Sequence, residues 1–220
     1  MFYHKHPYPP FIPENANKLI VGTLPPPRFT QRRLKERDVD FCYGSQDGLL
    51  WPILDRIFEL NLIYDNSVEA IRQRKDFLQQ RGIGICDVVE SSYREKIDAS
   101  DLGMKNVELR NMLQILRNHP KIDMLLFTGG NSKNGPEYFF RRHLKNSEEE
   151  NIKLKVIDNE PPRIHQFVLD GRLIKTVSLT APSGSANRAI GSMQLYKELK
   201  SKDSNFNTVD FRVLQYKDFF

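Results

Sequence analysis

Four short segments of the chain combine residue types and spacings that can do chemistry. The segment LTAPSGSANRAIGS, residues 179–192, sets small residues and several backbone N–H groups just before a helix that Arg188 helps to open. Ser, Gly and a helix N-terminus supply donors without steric bulk, which suits a phosphate, although an ordinary strand-to-helix turn has the same composition. LIVGTLPPPRF, residues 19–29, puts Gly22 where backbone can approach a ligand, followed by three prolines that stiffen the connection. In GICDVVESSYR, Asp87 closes a buried apolar run, where a carboxylate is costly unless paired or hydrogen-bonded. It reads as a ligand contact, or as a helix cap or ion pair with a neighbouring Arg. The fourth segment, FCYGSQDGLLWPILDRIF, residues 41–58, sets Asp47 at the junction of an aromatic, Gly-punctuated loop and an amphipathic helix.

Other chemistries are excluded by spacing. TGGNSKNGP has Gly and Lys without the GxxxxGK interval of a phosphate-cradling loop. Ser183 and His165 lack the GxSxG elbow of a serine hydrolase. The two cysteines, Cys42 and Cys86, form no CxxC-type pattern, so reduced thiols are expected. The terminal HKH at residues 4–6 has no acidic or Cys partners in sequence and reads as a solvated tail; no metal is expected. Against 28 Asp and Glu stand 33 Lys and Arg, a moderate basic excess that permits a polyanionic partner without requiring one. No apolar run approaches the roughly 18 residues of a membrane span, and MFYHKHPYPP lacks the layout of a secretory signal, so a cytoplasmic protein is expected.

The elements that must position these segments follow from periodicity. KLIVGT, residues 18–23, is a buried strand running into a long loop. Leu50, Ile53, Leu54, Ile57 and Phe58 fall at helical spacing, with Pro52 tolerated in the first turn. Asn66 and Glu69 predict a capping box for a second helix ending near Arg81, and Asn106 predicts the cap of a third carrying Leu109, Met112, Leu113 and Leu116. GIGICDVVE, IDMLLFTGG, LKVID, HQFVL and LIKTVSL read as strands, PEYFFRRHL as a helix, and Met193–Leu199 as a last helix. Buried strands alternating with helices predict an α/β fold, a three-layer α/β/α sandwich with a mainly parallel central sheet. One domain over residues 1–220 is expected, with residues 1–17 a Pro-rich arm. Ligands collect beyond the carboxyl ends of parallel strands, so the loops 22–48, 87–92 and 180–188 matter most.

Taken in chain order, LIVGTLPPP, YGSQDGLLWPILDRIF, GIGICDVVESSYREKIDASDL and LTAPSGSANR resemble the motifs of the uracil-DNA glycosylase superfamily. The nearest branches are the hypoxanthine-DNA and mismatch-specific glycosylases, and the likeness spans about residues 18–200. The resemblance implies a three-layer α/β/α enzyme without a cofactor. It would flip a nucleotide out of double-stranded DNA and hydrolyse its N-glycosidic bond, since stacked neighbours shield that bond in the helix.

The resemblance also assigns roles. Asp87 occupies the strand-end position that reads the base edge, Gly22 and Leu24 belong to the first base-binding loop, Tyr43 stacks on the base, and Asn131 is a weaker base or phosphate contact. Ser183, Gly184 and Ser185 grip the phosphate backbone, while Asn187 or Arg188 fills the gap left by the flipped base. Two positions depart from the family: Leu24 stands where many members carry Asp, Asn or Glu, and Gly48 where the hypoxanthine branch carries Asn. Asp47 is therefore the first candidate to activate water, or it caps the following helix, or both; Asp38 and Asp40 are reserves. The substrate class implied is a deaminated or bulkier modified base, including hypermodified pyrimidines of phage DNA. A non-catalytic DNA-binding relative and a nucleoside hydrolase are the other classes left open.

Overall fold

The computed structural model describes residues 1–95, 101–147 and 152–220. At its centre is a six-stranded sheet of order β3-β2-β6-β9-β8-β7. Its members are β2 (Lys18–Gly22), β3 (Ile83–Asp87), β6 (Met124–Phe127), β7 (Lys155–Asp158), β8 (Arg163–Leu169) and β9 (Arg172–Ser178). Strands β3, β2, β6 and β9 run parallel, and β8 and β7 extend them as an antiparallel edge. Gly22 pairs with Asp87 and Phe127 with Ser178, so the carboxyl ends of the four parallel strands finish along one line.

Strands β2, β3 and β6 are apolar along nearly their whole length because both faces are covered. Leu19, Val21, Leu125 and Phe127 share a core with Met112, Leu113 and Leu116 of α4 (Met112–Asn118) and with Phe139 and Phe140 of α5 (Pro136–Asn146). The alternate residues Ile20, Ile85 and Leu126 join the opposite core. There they meet Trp51, Ile53 and Leu54 of α2 (Leu50–Phe58, the next helix after the one-turn α1, Pro27–Thr30), Phe77 and Leu78 of α3 (Val68–Arg81), and Tyr216 of α8 (Thr208–Lys217). The period-two alternation of each strand thus serves two cores at once, and the predicted three-layer α/β/α architecture results.

Strand β3 does not end the apolar run GIGICDVVE. After Val88 the chain re-enters a second sheet as β4 (Val89–Arg94), which lies between β1 (Phe2–Lys5) and β5 (Met104–Leu109), antiparallel to both. One predicted strand is therefore two, with Asp87 at the switch. Residues 96–100 of the segment GIGICDVVESSYREKIDASDL lie outside the described residues.

Three helix boundaries differ from the expected ones. The cap of α3 is Ser67, whose Oγ accepts from Ala70 N at 3.1 Å, because the Asn66 amide is spent on the Lys35 carbonyl, 3.1 Å away. Residues from Met104 to Leu109 are strand rather than helix, since pairing with β4 satisfies their backbone, and Asn106 sits at φ 48° within it. Asn111 caps α4 instead, accepting from Gln114 N at 3.0 Å. The expected helix near 193–199 is α7 (Gln194–Lys202), preceded by α6 (Asn187–Ser192) and followed by α8, which the hydrophobic pattern did not announce.

Candidate active site

The centre of the site is the backbone of Gly22. A Cβ added there would lie 2.0 Å from Tyr43 Oη and 2.5 Å from Asp87 Oδ1, so only glycine lets these two side chains close over the end of β2. Tyr43 reaches this point from the long loop with left-handed backbone, φ 57°, a conformation that costs a non-glycine residue about 1–3 kcal/mol. Its hydroxyl shares a hydrogen bond with Thr128 Oγ1 at 2.9 Å, and Thr128 Oγ1 lies 3.4 Å from the Val21 carbonyl. Burial, and then the nearby Asp87 charge, push the Tyr43 phenol far above its ordinary range and keep it protonated.

Asp87, at the end of β3, is buried and meets His6, with Nε2 and Oδ2 2.7 Å apart. The residue types HKH read as a solvated tail, but His4 is fully buried and His6 nearly so. The cause is the arm, which pairs as β1 with β4, continues with His6 N donating to the Glu90 carbonyl at 2.8 Å, and then bridges Phe11 to Ile85 on the open edge of β3. An unpaired sheet edge beside a carboxylate is thereby covered by the chain's own N-terminal residues.

The three loop acids take three different situations. Asp38 is fully buried and saturated: it accepts both Arg28 nitrogens, at 2.7 and 2.8 Å, and the amides of Lys35 and Gln46, each at 2.8 Å. Burial alone would raise its carboxyl, yet Arg28 and the two amides outweigh it and hold the group below the ordinary carboxylate value. Asp40 accepts from Tyr8 Oη at 2.6 Å and from Arg32 at 2.9 Å. Asp47 is 60% exposed, with Oδ2 3.2 Å from Arg28 and 3.4 Å from Lys35. It does not cap α2, whose N-cap is Leu49 without a side-chain bond.

The remaining predicted residues divide between the core and the rim. Leu24 is half-buried and packs against the core under α4 and α5, and Asn131 is exposed beyond the end of β6. The loop after β9 meets the acid loop directly: Gly48 and Ser183 form an isolated bridge, and Leu49 N donates to the Pro182 carbonyl at 2.9 Å. Gly184 and Ser185 stand exposed at its tip, and the hydroxyls of Ser183 and Ser185 are 2.7 Å apart. Asn187 is exposed, but its amide oxygen accepts from Arg212 and from Thr208 Oγ1, each at 3.1 Å, whereas Arg188 is exposed. A cavity of about 710 Å³ lies between this acid loop, α2 and residues 59–64; Tyr43, Gly48, Trp51, Tyr64 and Arg74 are among its lining residues.

No family model matches the chain. The chain is 30% identical over 132 residues to a hypoxanthine DNA glycosylase from Methanosarcina barkeri, an alignment covering 58% of this chain and 73% of that protein. The chain belongs to the uracil-DNA glycosylase superfamily. It is an enzyme of the DNA glycosylase class. The fold agrees: a solution NMR structure from Methanosarcina acetivorans, described as a candidate uracil DNA glycosylase, superposes with a TM-score of 0.54. That likeness covers 96% of this chain and 99% of the other at 17% identity, and it bears on the fold alone.

Three parts of this glycosylase escaped the sequence reading. His6 gave no signal, because a histidine in a Pro-rich arm has no periodicity and its partner is 81 residues away. Arg212 of α8 is fully buried and organises the loop after β9, donating to the carbonyls of Ala181 at 2.9 Å, Ser183 at 2.7 Å and Thr208 at 3.0 Å. The signal for α8 was present in NTVD, where Asn207 and Asp210 form a capping box. Glu137, buried at the start of α5, accepts from Ser178 Oγ at 2.6 Å and Arg141 Nε at 2.7 Å, and so clamps the end of β9 to α5. Among the described residues no group of three or more His, Cys, Asp or Glu is arranged to hold a metal, and no helix is long and apolar enough to cross a membrane.

Proposed function

We propose that this glycosylase is monofunctional, excising a deaminated base from duplex DNA by hydrolysis and leaving an abasic site. The observation that carries this reading is the convergence of Gly22, Tyr43, Asp87 and Thr128 at the ends of adjacent parallel strands, beside the joined loops of Gly48 and Ser183. In this reading a base turned out of the stack meets an aromatic residue and a carboxylate, which converge because Gly22 beneath them carries no Cβ. The first substrate to test is hypoxanthine, which the Methanosarcina barkeri relative is named for, and the second is uracil.

In the proposed reaction the glycosidic electron pair leaves with the base nitrogen, and the sugar passes through an oxocarbenium-like state. Water then bonds to C1′ and gives up a proton. Asp47 is the acid best suited to receive it, because both oxygens of Asp38 and of Asp40 are engaged, whereas Asp47 Oδ1 has no hydrogen-bond partner among the described residues. In this reading Ser183, Gly184 and Ser185 hold the flanking phosphates, and Arg188 fills the vacated stack, since the Asn187 amide oxygen is engaged by Arg212.

A second reading, excision of a bulkier base such as a glucosylated pyrimidine from phage DNA, rests on Gly48, a small residue where the hypoxanthine branch carries Asn; the cavity of about 710 Å³ lies on the α2 side and is lined by none of Gly22, Asp87 and Thr128. Both readings are tested by mass spectrometry of bases freed from hypoxanthine, uracil and phage DNA duplexes. Release of hypoxanthine or uracil supports the first reading and release of a glucosylated base the second. Duplex binding with no base released from any of them would make the protein a non-catalytic reader of DNA.

A further inference from the structure

We infer that His6, carried in by the N-terminal arm, is a positioning residue that occupies one oxygen of Asp87, leaves the other as a one-sided acceptor, and so restricts the pocket to bases presenting an N–H donor on that edge. The inference rests on the glycosylase reading above and adds to it the chemical class of base.

The two nitrogens of the His6 imidazole have different partners. Tyr8 N donates to His6 Nδ1 at 3.1 Å, so Nδ1 is a lone-pair acceptor and carries no proton. The ring's hydrogen therefore sits on Nε2, which faces Asp87 Oδ2 at 2.7 Å and donates to it. With Oδ2 taken by that donor, the other oxygen of Asp87 is the one left to meet a ligand.

Only one oxygen of Asp87 is used in this way. Oδ1 has no hydrogen-bond partner among the described residues, and it is the atom that a Cβ on Gly22 would strike at 2.5 Å. It therefore faces the space above β2, beside the Tyr43 hydroxyl, where the base edge is read. A carboxylate oxygen accepts and does not donate, and a base that offers it only a lone pair or a methyl group leaves it desolvated and unpaired. Ring lactam and imide groups, N1–H of hypoxanthine and N3–H of uracil, meet the requirement; their N-methyl derivatives do not.

His6 is held in place by features outside the strand-end site. Its own amide donates to the Glu90 carbonyl at 2.8 Å, and the Tyr8 carbonyl two residues on accepts from Arg110 at 2.9 Å. The arm is fastened on both sides of the histidine, which makes its ring a fixed donor rather than a visiting one.

The test uses the full chain and duplexes carrying hypoxanthine, 1-methylhypoxanthine, uracil or 3-methyluracil, with single-turnover release of free base as the readout. Wild type is expected to prefer each ring N–H base over its methyl derivative. H6A is expected to slow release of the N–H base by about 10- to 100-fold, the worth of a hydrogen bond to a charged group, and to compress that preference. H6Q, whose amide can donate from near the Nε2 position, is expected to restore most of both. A mere loss of fold slows both bases equally and leaves their ratio unchanged, which would overturn the inference. Nitrogen-15 spectra of the imidazole supply a readout independent of activity: protonated Nε2 with bare Nδ1 at neutral pH supports it, and the opposite tautomer overturns it. If wild type releases neither base, the parent reading fails and this one with it. If wild type is active and H6A is unchanged, the inference alone fails.

Discussion

Gly48 and Ser183 pair across two loops from opposite ends of the chain, and this single bridge joins the acid loop to the loop that follows β9. The Leu49 amide reinforces it by donating to the Pro182 carbonyl at 2.9 Å. Anything that moves one loop therefore moves the other, and the residue that fixes the pair is Arg212, behind them.

Replacing Arg212 with methionine is expected to show this coupling. The buried guanidinium donates to the carbonyls of Ala181, Ser183 and Thr208, and these lose their partners in the variant. Hydrogen bonds from a charged donor are worth about 1.5–3 kcal/mol each, so a loss on the order of 3 kcal/mol in urea unfolding is expected even with partial rearrangement. Duplex affinity should fall with it. Arg188→Ala is the contrast: stability unchanged, and the slope of log affinity against log salt reduced by about one if that side chain touches a phosphate.

Gly22→Ala tests the closest approach in the site. The added carbon sits 2.0 Å from Tyr43 Oη and 2.5 Å from Asp87 Oδ1, well inside contact, so one of the two side chains must leave. Overpacking of this kind costs about 1–3 kcal/mol, which the protein can survive, while base release should be lost. A Gly22→Ala variant that folds and still releases base at the wild-type rate would remove Gly22 from the base-binding surface.

The arm should make stability depend on pH. Burial first, then the Arg94 charge, pull His4 from its ordinary 6.5 down to about 4 in the folded protein. The unfolded chain therefore takes up a proton that the folded one refuses. The stability contributed by the neutral ring is complete above about pH 6.5, declines as pH falls, and is gone below about pH 4. Urea midpoints at pH 7, 5.5 and 4.5 should fall in that order, and His4→Phe should flatten the decline; parallel curves for the two proteins would contradict it.

The parts of this fold that could be read in advance are those whose signal is local. KLIVG is apolar enough to be a central strand, and Pro52 sits where a helix tolerates it, so β2 and α2 appear where expected. Local rules fail where partners are distant. Asn106 has the type of a cap, yet pairing of its neighbours with β4 makes the segment a strand. His6 and Asp87 meet only because the arm crosses the edge of β3. The acids of the long loop have the same character in sequence, and it is Arg28 that separates them, by drawing Asp38 inward with two bonds and leaving Asp47 at the rim with one.

That difference between Asp38 and Asp47 yields the prediction that bears most on mechanism. An exposed ion pair is worth about 0–1 kcal/mol, so Asp47→Asn should leave unfolding nearly unchanged. Asp38→Asn removes a carboxylate that satisfies Arg28 and two backbone amides in a buried setting, so it should destabilise by about 3–5 kcal/mol and loosen the whole loop. Base release should fall in both variants for different reasons. In Asp47→Asn the chemical step slows at unchanged stability and unchanged duplex affinity; in Asp38→Asn rate, affinity and stability fall together. If Asp47→Asn keeps the full single-turnover rate, water is activated elsewhere. Asp87 then becomes the acid to examine, since it alone combines a buried position at the strand end with an oxygen left free of protein partners among the described residues.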